Sequence, residues 1–290
     1  MNYAALLSGK TAVVTSGAHG MGRYIAEVFA RHGAKVIVNG LAENGAETGE
    51  YLNEISPGSY FLRCDMSSEA EVENFTSEVL SREEAVDIAV NNVGINHYEL
   101  FEYVTECKFF RAQRVNIGGT IQITRAFLPG MARRGVGAFV HISTVHSVAA
   151  IPGNATYASS KAAINAFSCA VAEGFAESGV RSNVICPGGI FTGRGYNHIN
   201  EKLSEEERLK ISSYSTDDFS PDYTPGSVYD IANAALFLVS PMARGINGEI
   251  VMVDGGNVLQ SHIIEEFKKP PESKIIWREY LLNLFEPPPF

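Results

Sequence analysis

Short apolar runs alternate with amphipathic stretches along most of the chain. Residues 11–15 form a β-branched run that ends in a glycine-rich turn. The spacing of Ile25, Ala26, Phe29 and Ala30 then predicts a helix over 22–32. Lys-Val-Ile-Val-Asn at 35–39 is a second apolar strand, 43–55 reads as helix and 60–64 as strand. The helix predicted over 67–81 opens with Ser-Ser-Glu-Ala-Glu. Its serines can cap free backbone N–H groups, and its acids complement the helix dipole. Further strands are predicted at 86–90, 137–142, 180–186 and 249–253, and further helices at 115–134, 155–177 and 228–240. Pro187-Gly188 stops the sixth strand.

Strands alternating with helices predict a parallel sheet covered on both faces. Right-handed crossovers make it a doubly wound open sheet, so the expected fold is a single α/β Rossmann domain with seven parallel strands over 1–257. Two stretches break the alternation. Residues 193–226 carry Tyr196, Leu203, Ile211, Tyr214, Phe219 and Tyr223, and are expected to form a helical lid. Residues 258–290 form a C-terminal extension with a dense apolar run at 275–285, expected to pack at a subunit interface.

Composition narrows the function classes. The chain has 290 residues, 45% of them apolar and 19% charged, enough for a sizeable core. With 23 basic and 33 acidic residues it carries a net charge of −10, which excludes an electrostatic nucleic-acid binder. Cys64, Cys107, Cys169 and Cys186 lie far apart, with no metal-ligand spacing, and scattered thiols suit a reducing cytoplasmic compartment. No apolar run approaches the roughly 20 residues of a membrane span, and no signal peptide is expected.

Candidate chemistry begins at the glycine-rich turn, Thr15-Ser-Gly-Ala-His-Gly-Met-Gly22. Glycines let the backbone approach a pyrophosphate, and the helix that follows offers free N–H groups and a partial positive charge. Ser16, Gly17, His19, Gly20, Met21 and Gly22 are therefore candidate cofactor contacts. An acid that would hold an adenosine ribose should end strand two, but that stretch reads Val38-Asn-Gly-Leu41. The room at Gly40 favours NADP(H), with His19 as the nearest cation. NAD(H) held through Asn39 and backbone groups is the alternative. Asp65, followed by Met66, would either meet the adenine or cap the next helix.

Tyr157 and Lys161 stand at i and i+4 and share one helix face. A free tyrosine has a pKa near 10, too high for acid/base work at pH 7. A nearby ammonium stabilises the phenolate and brings it toward the useful range.

The chain resembles the short-chain dehydrogenase/reductase family over residues 9–256. The resemblance rests on the glycine turn, Asn91-Asn-Val-Gly94, Asn116 in Val-Asn-Ile-Gly-Gly, Tyr157-x-x-x-Lys161, Pro187-Gly-Gly-Ile-Phe-Thr192 and Val253-Asp-Gly-Gly256. It implies that Tyr157 exchanges a proton with the substrate oxygen, that Lys161 lowers its pKa and binds the nicotinamide ribose, and that Asn116 holds a water in a relay to Lys161. Asn92, Val93 and Gly94 would line the adenosine side. Pro187, Gly188, Ile190 and Thr192 would meet the nicotinamide. The family also implies a hydroxyl about 13 residues before the tyrosine, which is Thr144, with Ser143 as fallback. Neighbours in a strand point to opposite faces, so at most one reaches the substrate. Ser16 and Val93 stand where the family usually has Gly and Ala.

His97, Tyr98, His146 and Asn154 fall in loops that the strand-end rule turns toward the pocket. With the aromatic lid they suit a medium-sized, partly apolar ketone or secondary alcohol, such as a hydroxysteroid, a polyketide-like or a sugar-like compound. The expected protein is thus an NAD(P)(H)-dependent oxidoreductase, assembled as a homodimer or homotetramer, without nucleic-acid or membrane partners. A non-catalytic dinucleotide-binding sensor or scaffold is the alternative. An enoyl reductase would need a different Tyr–Lys spacing, by the same resemblance.

Overall fold

The computed structural model of the chain describes residues 5–41, 45–190, 227–256 and 258. The elements run β1 (Thr11–Val14), α1 (Gly20–Arg31), β2 (Lys35–Gly40), α2 (Gly45–Ile55), β3 (Tyr60–Arg63), α3 (Glu69–Arg82) and β4 (Ile88–Asn91). They continue α4 (Glu106–Gln113), α5 (Gly119–Arg134), β5 (Gly137–Ile142), α6 (Ala155–Gly174), β6 (Val180–Pro187), α7 (Val228–Val239) and β7 (Ile250–Val253). The strands form one sheet in the order β3-β2-β1-β4-β5-β6-β7, and every neighbouring pair is parallel. The seven-stranded doubly wound sheet read from the pattern is the observed architecture. Its strand order reverses between β1 and β4, which opens a crevice at their C-terminal ends.

Strand alternation divides the core in two. Val14, Val36, Val38, Val90, Val140 and Ile185 face α1, α2 and α7. Val13, Ile37, Ala89 and Phe139 face α3, α5 and the body of α6. Each fully buried aliphatic or aromatic side chain contributes about 1.5–3 kcal/mol. Tyr24 of α1 meets Tyr229 of α7 edge-on at 5.0 Å, closing one face.

Two predicted helices differ in detail, and one helix was not predicted. The helix read over 115–134 begins as a π-helical turn at Arg114–Gly118, which joins α4 to α5. Helix α4 escaped the pattern because Glu-Cys-Lys-Phe-Phe-Arg-Ala-Gln buries Ala112 alone; its start is fixed by Thr105, whose Oγ1 accepts from Lys108 N at 3.3 Å. Helix α6 stops at Gly174, before a 3-10 turn at Ala176–Ser178. The expected lid lies outside the described residues, and so does the extension apart from Val258.

Candidate active site

The turn after β1 is held by three polar side chains. Thr15 Oγ1 accepts from Asn92 N at 3.0 Å and Val93 N at 3.2 Å, and so joins the ends of β1 and β4. Asn92 Nδ2 donates to Thr15 O at 3.1 Å and Ser16 O at 3.3 Å. Asn39 Oδ1 accepts from Ser16 N at 2.8 Å, while its Nδ2 lies 3.3 Å from Met66 Sδ. Asn39 is fully buried, so its side chain shapes the turn instead of reaching toward a ligand. Ser16 takes φ +51°, the left-handed region that glycine prefers. Gly22 must remain glycine for a different reason: a Cβ there would lie 2.5 Å from both Asn92 Nδ2 and Ser16 O.

Beyond the turn, His19 begins α1 without a side-chain cap, and the first turn of α1 carries no acid. At the end of β2, Gly40 is buried and Leu41 exposed. Asp65 Oδ1 accepts from Ser67 N and Ser67 Oγ, both at 2.8 Å, and the first of these bonds holds its carboxyl below the usual range. Of the two roles read for Asp65, this is the local capping one, although the N-cap of α3 itself is Ser68.

The other half of the site is built on α6 and the ends of β4, β5 and β6. Lys161 is buried, and its Nζ donates to Ile142 O at 2.8 Å and Val93 O at 3.2 Å. Burial lowers its pKa to about 8. Gly94 makes room for it, since a Cβ there would come within 3.0 Å of Nζ. Nζ lies 5.8 Å from the centroid of the Tyr157 ring. The Tyr157 phenol is pushed up by burial and by Tyr98 nearby, and lowered by a hydrogen bond with the Thr144 side chain.

Ser143 and Thr144 separate as the strand rule requires. Ser143 Oγ donates to Lys161 O at 3.1 Å, which commits it to the helix backbone. Thr144 meets Tyr157. Asn116 lies in the π-turn, a device that often marks functional positions. Its Oδ1 accepts from Ile95 N at 2.8 Å, and its Nδ2 donates to Ile95 O at 3.0 Å and Ser160 Oγ at 2.8 Å. A water placed toward Lys161 would use the second lone pair of Oδ1. Gly188 N donates to Val253 O at 3.1 Å, Ile190 packs on the core, and Thr192 lies outside the described residues.

Around this centre, His146 is held by its ring Nδ1 at 3.3 Å from Ala149 O, and burial lowers its pKa. Asn154 is fully buried, and neither amide atom has a partner among the described residues. Leu100, Phe101, Ile151, Pro152 and Ala155 line a cleft of about 360 Å³ beside the start of α6. Two features went unread in the sequence. Thr15 organises the crevice, with its place at the strand end as the available signal. Cys186 sits close enough to Tyr157 and Lys161 to influence both, a proximity that no spacing announces.

The cradle fits a dinucleotide. The uncapped start of α1 leaves N–H groups for a diphosphate, and Gly20, at φ +57°, has open space where a Cβ would stand. Fold and site define a dinucleotide-binding α/β protein in which a half-buried Tyr157 stands between buried Thr144 and Lys161. A family model described as "Enoyl-(Acyl carrier protein) reductase" matches residues 16–257. The chain is 32% identical over 249 residues to 3-oxoacyl-[acyl-carrier-protein] reductase of Escherichia coli, an alignment covering 86% of this chain and 97% of the relative. It is 32% identical over 256 residues to the 7alpha-hydroxysteroid dehydrogenase of the same organism, covering 87% and 95%. It also resembles a solved structure described as an NAD(P)-dependent gluconate 5-dehydrogenase from Beutenbergia cavernae with bound NADP, at TM-score 0.76 and 28% identity, covering 86% and 97%. The chain belongs to the short-chain dehydrogenase/reductase family. It is an NAD(P)(H)-dependent oxidoreductase acting on CH–OH groups. Among the described residues, no helix is long and apolar enough to cross a membrane.

Proposed function

We propose that the protein interconverts a ketone and a secondary alcohol on a medium-sized, partly apolar substrate, with Tyr157 as the proton-transfer group. The observation that carries this reading is the pairing of Thr144 and Tyr157 side chains beside a buried Lys161. Thr144 orients the substrate oxygen, and the Tyr157 hydroxyl gives it a proton in reduction or removes one in oxidation. Lys161, fixed by Val93 O and Ile142 O, holds the nicotinamide ribose and a positive charge near the phenol. Asn116 keeps Ile95 and Ser160 in place and offers a water site toward Lys161. A bound nicotinamide supplies or accepts the hydride. Ser16, Gly17, Gly20 and Gly22 receive the diphosphate; Val93 and Gly94 border the adenosine side; Ile190 and Thr192 meet the nicotinamide.

The family model's description names an enoyl reductase, whereas the Tyr157-x-x-x-Lys161 spacing matches, by resemblance, the carbonyl branch. The cleft beside α6, lined by apolar side chains together with Glu102, suits hydroxysteroid, acyl or keto-sugar skeletons. NADP(H) is the preferred cofactor: β2 ends without a carboxylate, and β3 presents Arg63 in register with Gly40. The lid over 193–226, a subunit-contacting extension over 258–290, a homo-oligomer and a cytoplasmic location complete the reading. Intact Tyr157 and Lys161 argue against a non-catalytic sensor.

The test is a fluorescence titration with NADPH and NADH, followed by a ketone screen. NADPH should bind more tightly. Tyr157→Phe should lower kcat by about a thousandfold while leaving the NADPH dissociation constant unchanged. Turnover surviving in Tyr157→Phe overturns the assignment.

A further inference from the structure

Strand β5 is buried along its whole length, yet it carries a histidine among Gly, Ala, Phe, Val and Ile. His141 is fully buried, stacked on Phe139 at 6.1 Å and edge-on to Phe167 at 5.9 Å. An apolar residue would fill such a position without the desolvation that an imidazole suffers. The polar contacts of His141 run across three strands. Its Nδ1 lies 3.0 Å from Asn91 Nδ2, and Asn91 and His141 are directly paired in the β4–β5 register. Its Nε2 lies 3.1 Å from Ser182 Oγ of β6, which is 2.8 Å from Ser168 Oγ of α6.

The network fixes the tautomer. Thr124 Oγ1 donates to Thr120 O at 2.8 Å, so toward Asn91 it can only accept, and Asn91 must present its amide N–H₂. The second amide proton then goes to His141 Nδ1, which is an acceptor. The ring proton therefore sits on Nε2 and is donated to Ser182 Oγ. Such an imidazole is neutral, in keeping with its burial, which pushes its pKa down to about 3.

The position of this bond matters. Val93 lies two residues beyond Asn91, and Ile142 directly follows His141. Their carbonyls are the two that grip Lys161 Nζ. We propose that His141 is a positioning residue for Lys161: a neutral imidazole that ties the ends of β4 and β5 at the separation needed for Val93 O and Ile142 O to hold the ammonium together. This rests on the role given to Lys161 above.

The experiment has two parts. In the protein without cofactor, ¹⁵N spectra of the imidazole should show a protonated Nε2 and an unprotonated Nδ1, unchanged from pH 5 to 8. A ring that titrates in that range, or carries its proton on Nδ1, overturns the proposal. NADPH binding is then measured from pH 7 to 10 for the wild type, Lys161→Met, His141→Val and His141→Asn. Wild-type binding should weaken with an inflection near 8, as Lys161 loses its proton, and Lys161→Met should lack that inflection. His141→Val should weaken binding at pH 7 by about five- to tenfold and move the inflection to lower pH, since slack carbonyls stabilise the ammonium less. His141→Asn, whose Oδ1 can accept from Asn91, should restore both. Both variants lose the ring packing and the Ser182 contact, so a merely structural role would weaken them equally. Equal loss in the two variants, or an unmoved inflection in His141→Val, overturns the proposal. Failure of the wild type to bind NADPH, or an inflection persisting in Lys161→Met, removes the functional reading beneath it.

Discussion

The turn between β1 and α1 and the loop leading into α6 serve the same site but are finished in opposite ways. Around the turn, Thr15, Asn39 and Asn92 spend their polar atoms on backbone groups of Ser16, Val93 and each other's strands. At the start of α6, both amide atoms of Asn154 and the hydroxyl of Thr156 are buried with no partner among the described residues, as is Oδ1 of Asn165 farther along the helix. A buried polar group left unpaired costs about 1–3 kcal/mol. One half of the site is thus a finished mould, shaped by the protein for a ligand of fixed form. The other half keeps hydrogen-bonding capacity in reserve, for ordered water or for the substrate.

That contrast breaks most sharply at Gly22. A Cβ placed 2.5 Å from Asn92 Nδ2 and Ser16 O meets a braced turn with nowhere to move. Gly22→Ala should weaken NADPH binding at least tenfold and lower stability by about 1–3 kcal/mol, read by fluorescence titration and thermal melting. Normal binding at an unchanged melting temperature would mean that the mould is soft. On the unfinished side the sign reverses. Asn154→Leu, similar in shape but without polar atoms, should gain about 1 kcal/mol in urea unfolding, because Asn154 makes no side-chain cap to α6. The same change should raise KM for the ketone and leave NADPH binding intact. A loss of stability instead would show that the amide is already satisfied, by buried water, and that the two halves are alike.

The sequence was legible where backbone geometry dictates residue type. Seven strands and their flanking helices followed from alternation and periodicity, and the glycine turn announced itself through residues that a close backbone approach requires. Tyr157 and Lys161 were visible as a helix-face pair. What stayed hidden depends on contacts between residues distant in the chain. Thr15 reaches Asn92 across 77 positions, and Asn39 looked like a ligand contact until its burial committed it to Ser16 and Met66. Helix α4 hid because it is only eight residues long and buries a single side chain, Ala112. The direction of Lys161 was also unreadable: helical spacing puts it near Tyr157, but the ends of β4 and β5 decide where Nζ points.

The smallest effect tests the finished half from within. Ser16 occupies φ +51°, where a side chain costs about 1–2 kcal/mol relative to glycine. Glycine would remove that strain but also enlarge the freedom of the unfolded chain, an opposing term of about 0.4–1 kcal/mol. Ser16→Gly should therefore stabilise the protein by about 0.5 kcal/mol, measured by chemical denaturation. The bonds that brace the turn at this residue, from Ser16 N to Asn39 and from Asn92 to Ser16 O, are made by backbone atoms and survive the change. Cofactor affinity should stay as it is, even as the turn loses its one strained non-glycine residue. A weakened affinity would mean that the serine side chain itself touches the diphosphate, and that the departure from glycine at this position is part of the binding surface.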